Sequence, residues 1–497
     1  MILLNIKVLL ILVLCYGYLV STSSLFKYSA EELIIEISDG RIKGRTEITI
    51  TDTTFYSFQG IPYAEPPINK LRFQLHLYNP RYQYSPGLTF WIATFEKNIC
   101  YQVPVDREDE SEDCLFINVY TPRNPLGDDL DEPLLPVMFF IYGGGFVEGS
   151  SESVNYGPQH LMEYGVILVT FNYRVGPFGF FSTVDHVIHG NAGLKDQNLA
   201  LRWVNKNIRF FGGDPEKVTI FGQSAGAASV AYHILSPKSN GLFRAAIQES
   251  GSAISPWAYQ RNQRQITYQT AGYINPIFNT GNVSSRELLD YLVTVPAKEI
   301  DDASGTLAAT ESADYIQIQQ GFFYAPVLEM EHDDAFLNEL MYESLLRGRF
   351  NKVPLLLGFN SEESLFMTNG NGVLGNQVEE PVEGFSNTVR HGEDLGYIFR
   401  RNWEGYNTTD LSQFPESDQL VFKRFITLFT NFAKYLSPTP ERDELLQNIS
   451  WPKVNPTYFP YLDIGSSSRV RVHPKDYTYR AWETIYDEYG ELPYDTY

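Results

Sequence analysis

A chain of 497 residues that is 43% hydrophobic and 14% aromatic carries enough apolar material for a large core, which excludes a disordered or fibrous protein. Its 60 acidic against 38 basic side chains give a formal charge of −22, which argues against nucleic acid or an anionic membrane as partner and serves solubility.

In chain order, residues 1–22 read as a secretory signal. Lys7 is their one charge, the apolar run Val8–Leu14 follows, and Ser21–Ser24 offers small residues for cleavage. The run is short for a membrane span, no later stretch approaches about 18 uncharged apolar residues, and no lipid-anchor signal is visible. A secreted protein with no membrane anchor is expected. Cys15 leaves with the signal, so Cys100 and Cys114 are expected to pair across a short acidic loop. Asn282, Asn407 and Asn448 head N-x-S/T sequons and are candidate glycan sites.

Leu33–Ile37 and Ile48–Ile50 read as strands on either side of Asp39-Gly40 turn chemistry. Phe58–Ala64 and Leu71–Phe73 follow in a Pro-rich, irregular stretch, and residues 74–99 carry no regular pattern. From Leu134 the pattern becomes that of a doubly wound sheet. Val137–Ile141 and Val166–Phe171 are short, nearly continuous apolar runs, as strands buried on both faces require. Asp196–Arg209 is helical in period and is stopped by Phe211-Gly212-Gly213-Asp214-Pro215. Ala245–Gln248 and Val353–Phe359 read as two further buried strands, with mixed polar helices and loops between Trp257 and Gly321. No repeat or linker interrupts residues 23–497, so one large α/β domain is expected.

Two stretches carry chemistry. Val218–Phe221 leads into Gly222-Gln223-Ser224-Ala225-Gly226 and then a small-residue helix, the strand–turn–helix setting in which G-x-S-x-G presents a nucleophilic serine. Small neighbours are needed because the serine sits on a strained turn between a packed strand and helix. Gly143-Gly144-Gly145 follows the Val137–Ile141 strand, where consecutive glycines let backbone N–H groups approach a developing alkoxide. Gly144, Gly145 and Ala225 are the expected oxyanion donors. A phosphate loop is disfavoured, since no Gly-Lys-Ser/Thr follows.

The chain resembles the type-B carboxylesterase (cholinesterase-like) family, and secreted insect esterases in particular. The resemblance rests on Gln59–Pro67, Ser111–Leu115, Asn172-Tyr173-Arg174, Gly193–Gln197, Phe211–Pro215, Glu249–Ser252 and Tyr461–Ile464. It implies an α/β-hydrolase fold with a mostly parallel sheet and helices on both faces, a Cys100–Cys114 bridge, and a Ser–Glu–His triad. Carried over residue by residue, the acid falls on Glu363, just past the Val353–Phe359 strand, and the base on His391, in a variant of G-x-x-H-x-x-D with Thr388 at the first glycine. The implied activity is hydrolysis of apolar carboxylic esters through an acyl-enzyme on Ser224, with no metal or cofactor.

One departure matters. His391 follows Glu363 by 391 − 363 = 28 residues, where the resemblance implies a much longer interval holding helices and one more strand. The chain reads as having lost an internal block, so a sheet missing a late strand is expected. Twenty-eight residues can span more than about 80 Å when extended, so length alone does not keep His391 from Ser224. Loss of the supporting strand predicts an inefficient site, and an impaired or non-enzymatic member of the family is the alternative reading.

Overall fold

The computed structural model describes residues 32–74, 89–103, 107–127, 132–311, 321–363, 389–403 and 406–489. The expected signal (1–22) and the shortened interval (364–388) lie outside them.

The N-terminal part supplies β1 (Ile34–Ile37), β2 (Gly40–Lys43), β3 (Arg45–Ile48), β4 (Thr54–Pro62) and β5 (Trp91–Ile92). Then come β6 (Phe116–Thr121), β7 (Leu135–Ile141), β8 (Ile167–Phe171), β9 (Gly213–Gln223), β10 (Ala245–Glu249) and β11 (Leu355–Gly358). Eight of these form one sheet in the order β11-β10-β9-β7-β8-β6-β4-β3. Pairing is parallel from β8 through β11 and antiparallel on the other side. Helices pack around it, chiefly α1 (Gly176–Phe180), α2 (Ala192–Asn207), α3 (Ala225–Leu235), α4 (Gln263–Ile274), α5 (Ser285–Leu292) and α6 (Ala297–Glu311). Later come α7 (Met341–Leu346) and α8 (Glu416–Tyr435), the latter against β7 and β9. Short pairs β12 (Asn402–Trp403) with β13 (Tyr406–Asn407), and β14 (Pro460–Asp463) with β15 (Arg469–Val472), stand apart from the main sheet, and α9 (Asp476–Tyr489) closes the described chain.

The central strands behave as their composition requires. Every residue from Val137 to Ile141 and from Val218 to Phe221 is buried, because the parallel strands are covered on both faces. Four expectations are corrected. Ile48 ends β3, so Ile48–Ile50 is not a strand of its own. Phe58–Pro62 is not irregular but the second half of β4; a register shift between Phe58 and Ile61 absorbs Gly60, whose N–H donates to the Asn118 side chain at 2.8 Å. The helix of Asp196–Arg209 begins earlier, at Ala192, and its last turn tightens to a 3-10 turn over Ile208–Phe211 before the left-handed Gly212. The Val353–Phe359 strand is not buried: Leu355, Leu357 and Phe359 are 45%, 56% and 46% exposed. Among the described residues no strand pairs with the outer side of β11.

Candidate active site

β9 ends at Gln223, and Ser224 turns the chain into α3 with φ 58° and ψ −123°. An L-residue held there stores about 1–3 kcal/mol, so surrounding contacts must over-determine it. They do. A Cβ on Gly226 would stand 2.0 Å from the Ile141 carbonyl oxygen, one on Gly222 2.6 Å from the same atom, and one on Gly251 2.2 Å from the Ser224 carbonyl oxygen. Strand, turn and helix are therefore closer than any side chain permits. Ser224 N–H donates to the Glu249 carbonyl at the end of β10 (2.8 Å), which fixes the turn from below.

The glycine loop after β7 lies against this turn. A Cβ on Gly143 would come within 3.0 Å of Ser224 Cβ. Gly144 and Gly145 have φ 112° and 61°, conformations open to glycine. Tyr142, which opens the loop, stacks on Tyr173 at 4.3 Å, and each hydroxyl donates to the other's carbonyl, at 2.9 and 2.7 Å. Among the described residues, the N–H groups of Gly144, Gly145 and Ala225 donate to no protein acceptor. Donors left unengaged beside a nucleophile can meet an oxyanion without first breaking a bond. Phe322 lies 3.6 Å from the Cβ position of Gly145 and continues through Trp257 to Phe146, an aromatic wall beside the loop.

Glu363 and His391 are brought together. Glu362 N–H donates to the Val389 carbonyl (3.0 Å), and Glu362 bridges Arg390 in parallel register, so the two chain ends flanking the interval run side by side. Glu362 itself is exposed, while the Glu363 carboxylate accepts from His391 Nδ1 at 2.6 Å. Burial works to raise the Glu363 carboxyl, but hydrogen bonds from His391, Ser250 and the Asn360 N–H outweigh it and hold it below its usual value. With Nδ1–H committed to Glu363, Nε2 is the acceptor face of the ring. Its described partner is the Gln223 amide Nε2 at 3.0 Å, not Ser224 Oγ.

The other histidines serve elsewhere. His233 is buried between Ser239 and Gln197 and pushed down to about 3 by burial, His189 lies between His186 and His332, and His473 is exposed. Cys100 and Cys114 form a disulfide. Asn282 and Asn448 are exposed.

Four partners of the site went unread in the sequence. Ser250, at φ 58°, donates its hydroxyl to Glu363, and Asn360 N–H adds a second bond at 2.6 Å. Gln223 meets His391, and Asp394 accepts from Asn360 Nδ2 at 2.9 Å. Ser250 lies within Glu249–Ser252 and Asp394 within the histidine signature, so the motifs held the signal while their bonding depended on tertiary approach.

The sequence model of the carboxylesterase family matches residues 31–381 and 374–482, two segments that meet inside the shortened interval. Juvenile hormone esterase of Tribolium castaneum is 37% identical over 344 residues, which are 68% of this chain and 56% of that protein. The chain thus spans little more than half the length of that relative. Esterase E4 of Myzus persicae is 33% identical over 91% of this chain and 79% of its own. Among solved structures, juvenile hormone esterase from Manduca sexta with OTFP covalently attached superposes with a TM-score of 0.75 at 25% identity, covering 92% of this chain and all of that one.

Proposed function

Because this chain belongs to the carboxylesterase family, we propose that it is a secreted serine carboxylesterase hydrolysing apolar carboxylic esters. The observation that carries this reading is the strained Ser224 turn packed against the glycine loop, with the N–H groups of Gly144, Gly145 and Ala225 donating to no acceptor among the described residues. In the proposed reaction His391 Nε2 takes the proton from Ser224 Oγ as it attacks the ester carbonyl. The oxyanion is held by the N–H groups of Gly144, Gly145 and Ala225. His391 then protonates the departing alcohol, and water, deprotonated by the same imidazole, releases the acid from Ser224. Glu363 holds Nδ1–H and stabilises the imidazolium. These steps use water and protein groups alone.

The aromatic wall of Phe322, Trp257 and Phe146 supports an apolar group beside the carbonyl, and the names of the insect relatives support ester hydrolysis. Secretion is supported by the signal-like residues 1–22 and by the Cys100–Cys114 bridge. Among the described residues no helix is long and apolar enough to cross a membrane. Residues 23–497 are proposed to form one hydrolase domain.

A second reading, an esterase impaired by loss of a block before His391, is favoured by one observation: among the described residues His391 Nε2 is hydrogen-bonded to the Gln223 amide at 3.0 Å. Hydrolysis of 1-naphthyl acetate by the purified protein separates the two. The first reading expects turnover that falls about 10⁴-fold or more in Ser224→Ala. A folded, monodisperse protein with no turnover above that variant would overturn it and leave the impaired esterase.

A further inference from the structure

Beneath the site lie two acids that the proposed mechanism does not use. Glu249 ends β10, Asp394 follows His391 by three residues, and both side chains are buried, at 3% and 4% exposure. Their carboxyls meet. Among the described residues no donor reaches either oxygen of Glu249; the Glu363 carboxylate adds a like charge beside Asp394, and the Tyr397 phenol lies within electrostatic reach of Asp394. Two apposed carboxylates without a cation cannot both ionise in a dry site, so one proton sits between them.

That proton lies in a continuous chain. The Glu249 carbonyl receives Ser224 N–H at 2.8 Å. Asp394 Oδ1 accepts from Asn360 Nδ2 (2.9 Å), whose amide also donates to the Arg390 carbonyl (2.9 Å) next to His391. The Asn360 backbone N–H donates to Glu363 at 2.6 Å. The nucleophile turn, the acid turn and the histidine loop thus converge on one carboxyl–carboxylate contact, although β11 gives the last two little support.

We propose that Glu249 and Asp394 are positioning residues which share one proton, and that this shared proton clamps the histidine loop and the acid turn to the strand beneath Ser224. The inference rests on the esterase reading for its kinetic consequence alone. Ionisation of the pair would place two negative charges side by side, push Asp394 away and release Asn360 with it. Burial, which penalises the ionised form, and the neighbouring Asp394 carboxylate keep the Glu249 proton bound well above the usual carboxylate range. A carboxyl that binds its proton more tightly folded than unfolded costs stability progressively as pH rises from the unfolded value to the folded one.

Glu249→Gln tests this, because the amide keeps a donor toward Asp394 but has no proton to lose. Expected are a kcat within about twofold of the parent at neutral pH, loss of the alkaline limb that the pair's ionisation adds to kcat, and a melting temperature that declines less between about pH 5 and about pH 9. The infrared band of a protonated buried carboxyl should be present in the parent and absent from the variant. Glu249→Leu, which removes the donor, should lower kcat more than about tenfold while Gln restores it. An unchanged infrared band and an unchanged pH dependence of melting in Glu249→Gln would overturn the proposal. Those two readouts need no turnover, so they stand even if the parent proves inactive and the esterase reading fails.

Discussion

The centre of the sheet and its β11 edge are built to different standards. β7 from Val137 and β9 from Val218 are buried to their C-terminal ends, and they lead into Ser224, Gly144, Gly145 and Ala225 through backbone contacts too tight for a Cβ. β11 buries Leu356 alone among its leucines, and it delivers Glu363 and His391 through one bridge and a few side-chain bonds. The β14–β15 hairpin, where Arg469 to Val472 are all exposed, stands apart in the same way, tied back by Lys475 donating to the Ser361 carbonyl at 2.5 Å. Half of the candidate site is thus fixed by the fold, while the other half depends on polar contacts.

The sharpest way to break the weaker half is Glu363→Gln. Its expected cost is on the order of 10⁴ in kcat, because the amide no longer selects the Nδ1–H tautomer. The same variant should flatten acid unfolding. A carboxyl held below its usual value stabilises the fold above the unfolded value of about 4.3, and that contribution is lost as pH falls through the lower folded value. Melting temperature measured from about pH 3 to about pH 6 checks the second outcome.

The two regions can be weighed directly by cutting one apolar side chain in each. Ile220→Ala at the centre should cost about 3 kcal/mol in denaturant unfolding, and Leu357→Ala at the edge less than about 0.5 kcal/mol. Equal losses would mean that β11 is as well packed as β9. The smallest effect expected is a gain. Gln223→Ala removes the amide that occupies His391 Nε2, and it should raise kcat about threefold with KM little changed. A fall would show that Gln223 holds the imidazole in place instead of diverting it.

Legibility in the sequence followed the same division. Strands buried on both faces print as continuous apolar runs, so Val137–Ile141 and Val218–Phe221 were readable, and with them Ser224 and the glycine loop. Val353–Phe359 prints identically yet lies half exposed, because composition records what a segment was built to bury, not whether its neighbour is present. Glu363 and His391 were reached only through resemblance, since no local pattern distinguishes them from the adjacent Glu362 or from His473. The Ser250–Glu363, Gln223–His391 and Glu249–Asp394 contacts join residues more than a hundred positions apart, and no periodicity reports such pairs. β4 was missed because Gly60 and Pro62 read as breakers, although a register shift and the Asn118 side chain accommodate the glycine.

The turn at Ser224 has an evolutionary consequence. Its φ of 58° is one that glycine adopts freely, so replacing the proposed nucleophile by glycine would relieve about 1 kcal/mol or more of backbone strain. In this chain, exchange of that serine for glycine would therefore relax the turn. A lineage released from selection for hydrolysis can shed its serine and become sturdier, and the serine persists only where turnover is worth the instability it brings.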